Sequence, residues 1–108
     1  MSPNHSRPHN TLSVVVPLYN EEENLPLLVS SLFDVLAANQ SFLELVLVDD
    51  GSRDRTAAMA AGLAAREPRI RLVQHECNRG LGAAIRTGLE AARGDLILYT
   101  DADLPFDF

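Results

Sequence analysis

Short apolar runs alternate with longer amphipathic segments from residue 12 onward, and no other feature constrains the fold as strongly. Turn-forming residues such as Gly, Pro, Asn and Asp bound the short runs, as is usual for β-strands. The segments between the runs repeat apolar residues at i, i+3 and i+4, which is the period of an amphipathic helix. This alternation predicts βαβ units, and therefore an α/β fold with a mostly parallel sheet flanked by helices.

Four strands and three helices are predicted. The predicted strands are residues 12–16, ended by Pro17, and residues 43–48, 70–73 and 96–100. The first helix ends at about residue 38. The second helix covers residues 55–66 with Asp54 as the cap, and the third runs from about residue 81 to residue 93. This arrangement brings every strand to one sheet.

The start of the first helix is open between two positions. Asn20 forms a capping box with Glu23, but Pro26 would then lie inside the helix. Asn24 is the rival N-cap, and it leaves Pro26 in the first turn, where proline is tolerated.

The expected strand order is 3-2-1-4, because the ligand cleft of a doubly wound sheet opens where the order reverses beside the first strand. The fourth strand is apolar and would lie at an open edge of the sheet. Open apolar edges promote pairing with other chains. Self-association through this strand is therefore expected.

Two carboxylates follow the fourth strand directly. Asp101 and Asp103 are separated by one residue, so their side chains share a face with Cα atoms about 6.5–7 Å apart. Such a pair can converge on a hard divalent cation, and its place at the carboxyl end of a buried-type strand favours a metal site over a turn. Mg²⁺ or Mn²⁺ is the expected cofactor.

Composition narrows the classes of function. The chain has 108 residues, which corresponds to one small domain or part of one. The formal net charge of -6 argues against a nucleic-acid partner. Cys77 is the single cysteine, which excludes an internal disulfide and a cysteine-rich zinc cage.

The first 11 residues are polar, contain proline and show no period, so we expect a disordered leader. They lack the apolar core of a signal peptide. No transmembrane segment is expected in the sequence, because no run approaches the roughly 20 apolar residues that span a bilayer. These features predict a cytoplasmic chain.

Polar or glycine-rich loops follow all four predicted strands. They read P-L-Y-N-E, D-D-G-S, N-R-G-L-G-A-A and D-A-D in chain order. Right-handed crossovers bring the carboxyl ends of parallel strands to one edge of the sheet. The four loops are therefore expected to surround one ligand.

These four motifs together resemble the family-2 glycosyltransferases of the GT-A fold, and most closely the polyprenyl-phosphate and dolichol-phosphate sugar synthases. The stretches V-V-P-L-Y-N-E-E-E-N-L, V-D-D-G-S-R-D-R-T, N-R-G-L-G-A-A-I-R-T-G and Y-T-D-A-D-L occur in the order and spacing of that family. The resemblance covers residues 12–108 and implies the Rossmann-like, nucleotide-sugar-binding N-terminal part of a GT-A domain.

The resemblance also implies roles for individual residues. Pro17, Tyr19 and Glu21 would flank the base and ribose of the donor nucleotide, with Asn20 shaping the turn. Asp49 would lie at the mouth of the sheet and accept hydrogen bonds from the base.

A further group would surround the ribose, the diphosphate and the metal. Asp50 would lie near the ribose or the metal, and Asp101 would contact both nucleotide and metal, the latter together with Asp103. The glycines near the start of the third helix let backbone approach an anionic diphosphate. Asn78, Gly80 and Arg86 are the candidates there.

The implied reaction is transfer of a sugar, with inversion, from a UDP- or GDP-sugar to an acceptor. A lipid phosphate is the acceptor that the resemblance implies, which would place the reaction at the cytoplasmic face of a membrane. The sequence ends at Phe108, shortly after the D-x-D, whereas the resembled domains continue and supply the acceptor contacts. The catalytic base, if the reaction uses one, is therefore expected beyond Phe108. The 108 residues are expected to be a donor-binding part without turnover of its own.

Two other classes share parts of this pattern. A metal-dependent nucleotidyltransferase usually has a basic, glycine-rich loop after the first strand, and here that loop is acidic. A non-catalytic phosphoacceptor domain normally needs a Lys near its acids, and this chain contains none. A nucleotide-binding segment without catalysis stays open as an alternative.

Overall fold

The computed structural model describes residues 11–101. Seven elements alternate along the chain: β1 (Leu12–Leu18), α1 (Leu25–Leu36), β2 (Phe42–Asp49), α2 (Thr56–Arg66), β3 (Ile70–Gln74), α3 (Leu81–Ala91) and β4 (Leu96–Tyr99). The α/β prediction is confirmed, and element ends differ by no more than two residues from those expected. Residues 1–10 of the expected leader lie outside the described range.

The four strands form one parallel sheet in the order β3-β2-β1-β4. The predicted order 3-2-1-4 is therefore confirmed. The chain moves outward from β1 through β2 to β3 and then returns to the far side of β1, so α1 and α2 cover one face and α3 covers the other. The order reverses beside β1, where doubly wound folds bind ligands.

The two faces bury different sets of side chains because residues alternate along each strand. The larger core lies under α1 and α2, and the smaller core lies under α3. Val14, Val16, Leu45 and Leu47 belong to the first, and Val15, Val46, Val48 and Ala84 belong to the second.

Helix α1 resolves the open question about its start. The helix begins at Leu25 with Asn24 at the N-cap position, and Pro26 lies in the first turn. The Asn24 side chain makes no capping hydrogen bond, but it donates to the Glu21 carboxylate over 3.2 Å. Asn20 instead has a positive φ of 53° and belongs to the turn between β1 and α1. The capping box with Glu23 is therefore wrong.

Strand β1 continues through Pro17, contrary to the prediction that proline ends it. The backbone of Val15 faces β4, since its carbonyl accepts from the Thr100 N–H over 3.0 Å. Pro17, two residues further on, faces the same side. Because β4 ends at Tyr99, opposite Val15, no strand within residues 11–101 requires the N–H that proline lacks.

Strand β4 is an exposed edge. Leu96, Ile97 and Leu98 are 51%, 40% and 50% exposed, although they are apolar. Thr11, assigned to the leader from sequence, already belongs to this edge, because its carbonyl accepts from the Leu96 N–H over 2.9 Å. None of the helices within residues 11–101 is long and apolar enough to cross a membrane.

Candidate functional site

A cavity of about 470 Å³ lies at the carboxyl ends of the strands, beside β1. Its walls come from the end of β1, the end of β2, the loop before α3 and the segment after β4. The lining residues are Pro17, Leu18, Tyr19, Glu21, Asp50, Asn78, Gly80, Leu81, Ala84 and Asp101. All four loops singled out in the sequence therefore contribute to one cavity.

Most predicted contact residues line this cavity, and two do not. Asp49 lies outside it, and its side chain instead lines a hollow of about 320 Å³ between the ends of β2 and β3. Arg86 is exposed on α3 and is also absent from the lining.

The last part of the sequence lies outside the described residues, which end at Asp101. Asp103, the second carboxylate of the predicted metal pair, and Phe108, beyond which any catalytic base was expected, both belong to that part. The metal pair and the position of a base therefore stay predictions.

Asp49 and Asp50 separate because successive residues at a strand end point to opposite faces. Asp49 is only 2% exposed, and its Oδ2 accepts from the Ser52 N–H over 3.2 Å. Its Oδ1 has no hydrogen-bond partner among the described residues. Asp49 therefore lies buried at the end of β2, outside the cavity, and its expected hydrogen bonds to a base stay a prediction.

Asp50 organises the loop that precedes α3. Its Oδ1 accepts from the Arg79 N–H over 2.9 Å and contacts His75 Nδ1 at 2.8 Å. Its Oδ2 accepts from the Gly80 N–H over 2.9 Å and from the Asn78 side-chain amide over 3.1 Å. One buried carboxylate thus holds three consecutive residues of this loop, of which Asn78 and Gly80 line the cavity.

These contacts determine the charge of Asp50. Burial alone would raise the pKa of the carboxyl, but the hydrogen bonds from His75 and from the N–H groups of Arg79 and Gly80 outweigh it and hold the pKa below its usual value. Asp50 is therefore ionised at neutral pH and acts as an acceptor only.

The loops after β1 and β2 are joined by hydrogen bonds. The Asn20 N–H donates to Ser52 Oγ over 2.9 Å, and the Asn20 side-chain oxygen accepts from the Arg53 N–H over 2.9 Å. The Glu21 N–H donates to Thr56 Oγ1 over 2.7 Å. Helix α2 begins at Thr56 with Arg55 at the N-cap position, so the prediction of Asp54 as the cap is wrong. Asp54 lies one residue earlier, and its Oδ1 accepts from the Thr56 N–H over 2.9 Å.

Gly51 allows the loops after β2 and β3 to touch. Its φ is +72°, and a Cβ at this position would overlap the backbone of Cys77 and Asn78, with Cys77 Cα at 2.8 Å. Any larger residue would push apart the two loops that surround Asp50.

Asp101 is exposed at the edge of the cavity. The Tyr99 hydroxyl donates to its Oδ1 over 2.5 Å, and this bond to a carboxylate raises the pKa of Tyr99 above its usual value. The Asp101 carboxylate keeps further acceptor positions, because a carboxylate can accept more than one hydrogen bond. Within residues 11–101, no three His, Cys, Asp or Glu side chains form a metal-binding group.

His75 and Thr87 are site residues that the sequence analysis missed. His75 is buried behind Asp50, and its Nε2 lies 2.8 Å from Thr87 Oγ1 on α3. The available signal was the position of the histidine immediately after β3, at the edge where the other polar residues meet.

Comparison with known proteins agrees with the fold and the motifs. The sequence profile of "Glycosyl transferase family 2" matches residues 13–107. An undecaprenyl-phosphate 4-deoxy-4-formamido-L-arabinose transferase of Shewanella sediminis is 43% identical over 102 residues, which cover 93% of this chain and 30% of the relative. A human dolichyl-phosphate beta-glucosyltransferase is 39% identical over 103 residues, covering 89% and 32%.

Solved structures show the same similarity. The mannosyltransferase PcManGT of Pyrobaculum calidifontis, in complex with GDP-Man and Mn²⁺, superposes with a TM-score of 0.77 at 29% identity, covering 87% of this chain and 28% of that one. TarS 1-349 of S. aureus in complex with UDP gives 0.74 at 32% identity, covering 86% and 27%. The chain spans about 30% of the length of these relatives. It belongs to glycosyl transferase family 2 and has the GT-A fold.

Proposed function

We propose that the cavity beside β1 binds the nucleoside diphosphate of a sugar donor, and that the protein transfers the sugar to a polyprenyl phosphate. The observation that carries this proposal is the meeting of all four strand-end loops around one cavity of about 470 Å³. This volume suits a small-molecule ligand. The similarity to PcManGT with GDP-Man and to TarS with UDP supports a nucleotide as the ligand.

In this proposal, different lining residues face different parts of the sugar donor. Pro17, Tyr19 and Glu21 form the β1 side, where the half-exposed Tyr19 ring offers an apolar face to a base. Asn78 and Gly80 form the opposite wall, near the start of α3, where a helix N-terminus favours an anion. Asp49 and Arg86 have no part in this proposal, because neither lines the cavity.

The charge of the cavity explains why a cation is required. Glu21, Asp50 and Asp101 contribute carboxylates, and no Arg or His is among the described lining residues. A diphosphate would be repelled by these charges unless a divalent ion lay between them. Oxygen donors suit Mg²⁺ or Mn²⁺, which are commonly held by one or two carboxylates together with substrate phosphates. Asp101, with Asp103, would hold the ion.

The proposed reaction is a direct displacement with inversion. An oxygen of the acceptor phosphate forms a bond to the anomeric carbon while the bond from that carbon to the donor diphosphate breaks, and the electron pair stays on the diphosphate oxygen. When bound, the divalent ion acts as a Lewis acid that stabilises this leaving group. The acceptor is already anionic, so the step needs no strong general base.

The acceptor is proposed from the names of the relatives, which act on dolichyl phosphate and undecaprenyl phosphate. Because such an acceptor is a lipid, the protein would work at a membrane surface, and we propose the cytoplasmic face. The 108-residue chain contributes the donor and metal site to this reaction.

Calorimetric titration of the chain with UDP and with GDP, each with Mn²⁺ or with a chelator, tests the donor site. We expect binding only with the ion. Asp101→Asn should reduce the metal-dependent affinity by at least about tenfold, equivalent to roughly 1.4 kcal/mol, because it removes a charged ligand. Asp103→Asn should act in the same direction.

Asp34→Asn is the matched control, because Asp34 is an exposed carboxylate on α1 outside the cavity. It makes the same change of charge and should leave the affinity unchanged. Equal affinity in chelator and in Mn²⁺, or equal losses in Asp34→Asn and Asp101→Asn, would contradict the proposed site.

A further inference from the structure

His75 occupies a position that the proposed reaction does not use. The residue directly follows β3, and its side chain is 4% exposed. Nδ1 lies 2.8 Å from Asp50 Oδ1, and Nε2 lies 2.8 Å from Thr87 Oγ1. The imidazole therefore bridges the end of β2 and helix α3 behind the cavity wall.

The chemistry of the neighbours determines how His75 is bonded. Asp50 is ionised and can only accept hydrogen bonds, so at 2.8 Å from Asp50 Oδ1 the ring nitrogen of His75 must be the donor. The Nδ1 atom of His75 therefore carries a proton. In the neutral ring Nε2 then accepts, and the Thr87 hydroxyl donates to it.

Helix α3 lies close enough for this contact because Gly88, next to Thr87, has no side chain. A Cβ on Gly88 would overlap Val15 and would lie 3.2 Å from Val48 Cγ2. The close approach of α3 to the sheet brings the Thr87 hydroxyl within reach of the imidazole.

We propose that His75 is a positioning residue for the donor cavity. It fixes the Asp50 carboxylate in the orientation that holds Asn78, Arg79 and Gly80, and so it shapes the wall that faces the diphosphate. The role in donor binding rests on the proposed function; the role in holding the loop does not. His75 touches no ligand in this assignment and acts through Asp50.

Two substitutions of His75 distinguish the role of Nδ1 from the role of Nε2. In His75→Asn the side-chain amide takes the place of Nδ1 and keeps a donor for Asp50. In His75→Gln the amide reaches the place of Nε2 and leaves Asp50 without that donor. Both remove the imidazole, so a role that depends only on its volume predicts the same result for both.

Hydrogen exchange of backbone amides in the 108-residue chain measures the effect without any nucleotide. We expect His75→Gln to lower the protection of the Arg79 and Gly80 amides by roughly tenfold or more, because a hydrogen bond to a buried charge is lost. His75→Asn should keep most of that protection. The amides of Val15 and Val46 in the sheet serve as the internal control and should not change.

Equal protection of Arg79 and Gly80 in both variants and in the unsubstituted chain would overturn the proposal, as would equal losses in the two variants. If either variant does not fold, the tautomer of His75 in the unsubstituted chain decides, measured from its ring ¹⁵N shifts near neutral pH. A proton on Nδ1 supports the proposal, and a proton only on Nε2 overturns it.

Nucleotide affinity is measured separately, with UDP and GDP in Mn²⁺. We expect His75→Gln to bind more weakly than His75→Asn. No nucleotide binding by the unsubstituted chain would contradict the proposed function, while the exchange comparison would still decide whether His75 holds the loop. An exchange effect with unchanged affinity would overturn its part in donor binding.

Discussion

Gly88→Ala tests the close packing of α3 on the sheet, on which the contact between Thr87 and His75 depends. The added Cβ would overlap Val15 Cγ1 and would lie 3.2 Å from Val48 Cγ2. Both valines are fully buried on adjacent central strands, in a core where close packing is the norm. The helix must therefore shift outward, or the valines must leave their preferred rotamers.

Two opposing contributions determine the size of the effect. Overpacking of a well-packed core costs about 1–3 kcal/mol. Alanine in the interior of a helix gains up to about 1 kcal/mol over glycine. Because the overlap with Val15 is severe, we expect a net loss of about 1–2 kcal/mol in the free energy of unfolding. For a domain of this size, that loss lowers the Tm by roughly 5–15 °C.

The assay is thermal and urea unfolding followed by circular dichroism, with Gly62→Ala as the matched control. Gly62 is also interior to a helix, α2, but its nearest neighbour outside the helix backbone is the flexible Arg66 guanidinium at 4.0 Å. The control should raise stability by up to about 1 kcal/mol. A Tm for Gly88→Ala equal to or above that of the unsubstituted chain would refute the argument.

Three further predictions follow from other parts of the structure. Burial opposes the charge of Glu44, but hydrogen bonds from Ser13, Arg71 and the Arg93 N–H outweigh it and lower the pKa of its carboxyl. The ionised carboxylate therefore contributes to stability at neutral pH, and this contribution is lost as the pH falls through the lowered pKa. Unfolding followed between about pH 3 and 6 should show a shallower loss of stability in Glu44→Gln, and an unchanged slope would contradict this. Asp49→Ala should leave the affinity for UDP and GDP unchanged in calorimetry, because Asp49 does not line the cavity; a tenfold loss would return it to the site. The chain should self-associate through β4 in sedimentation experiments and Leu98→Lys should reduce this, whereas a compact monomer at high concentration would disprove it.

The overall fold could be predicted because its signals are local and repeat along the chain. The apolar runs that became β1 and β2 are buried on both faces, so they had to be central strands. The start of α1 could be narrowed from the sequence to Asn20 or Asn24, and the structure has Asn24, which leaves Pro26 in the first turn. These inferences need only periodicity and the backbone limits of proline.

A buried polar network of Ser13, Glu44 and Arg71 lies near the amino ends of β1, β2 and β3, and it could not be predicted in this way. Glu44 Oε1 accepts from Arg71 over 2.6 Å, and its Oε2 accepts from the Ser13 hydroxyl over 2.6 Å. Each of these residues is separated from its partners by at least 27 positions. A polar residue within a strand indicates an exposed face unless the partner that neutralises it is known, and only the sheet register supplies that partner.

The same limit explains the two adjacent carboxylates after β2. Sequence identifies both Asp49 and Asp50 as strand-end acids, but their roles depend on which face of the sheet each one meets. Asp50 points to the face covered by α3, where the loop of Asn78 and Gly80 lies, and it therefore lines the cavity. Asp49 points the other way and binds the Ser52 N–H. A shift of one residue at the end of β2 would exchange the two, so the assignment depends on the register between β2 and its neighbours rather than on the motif itself.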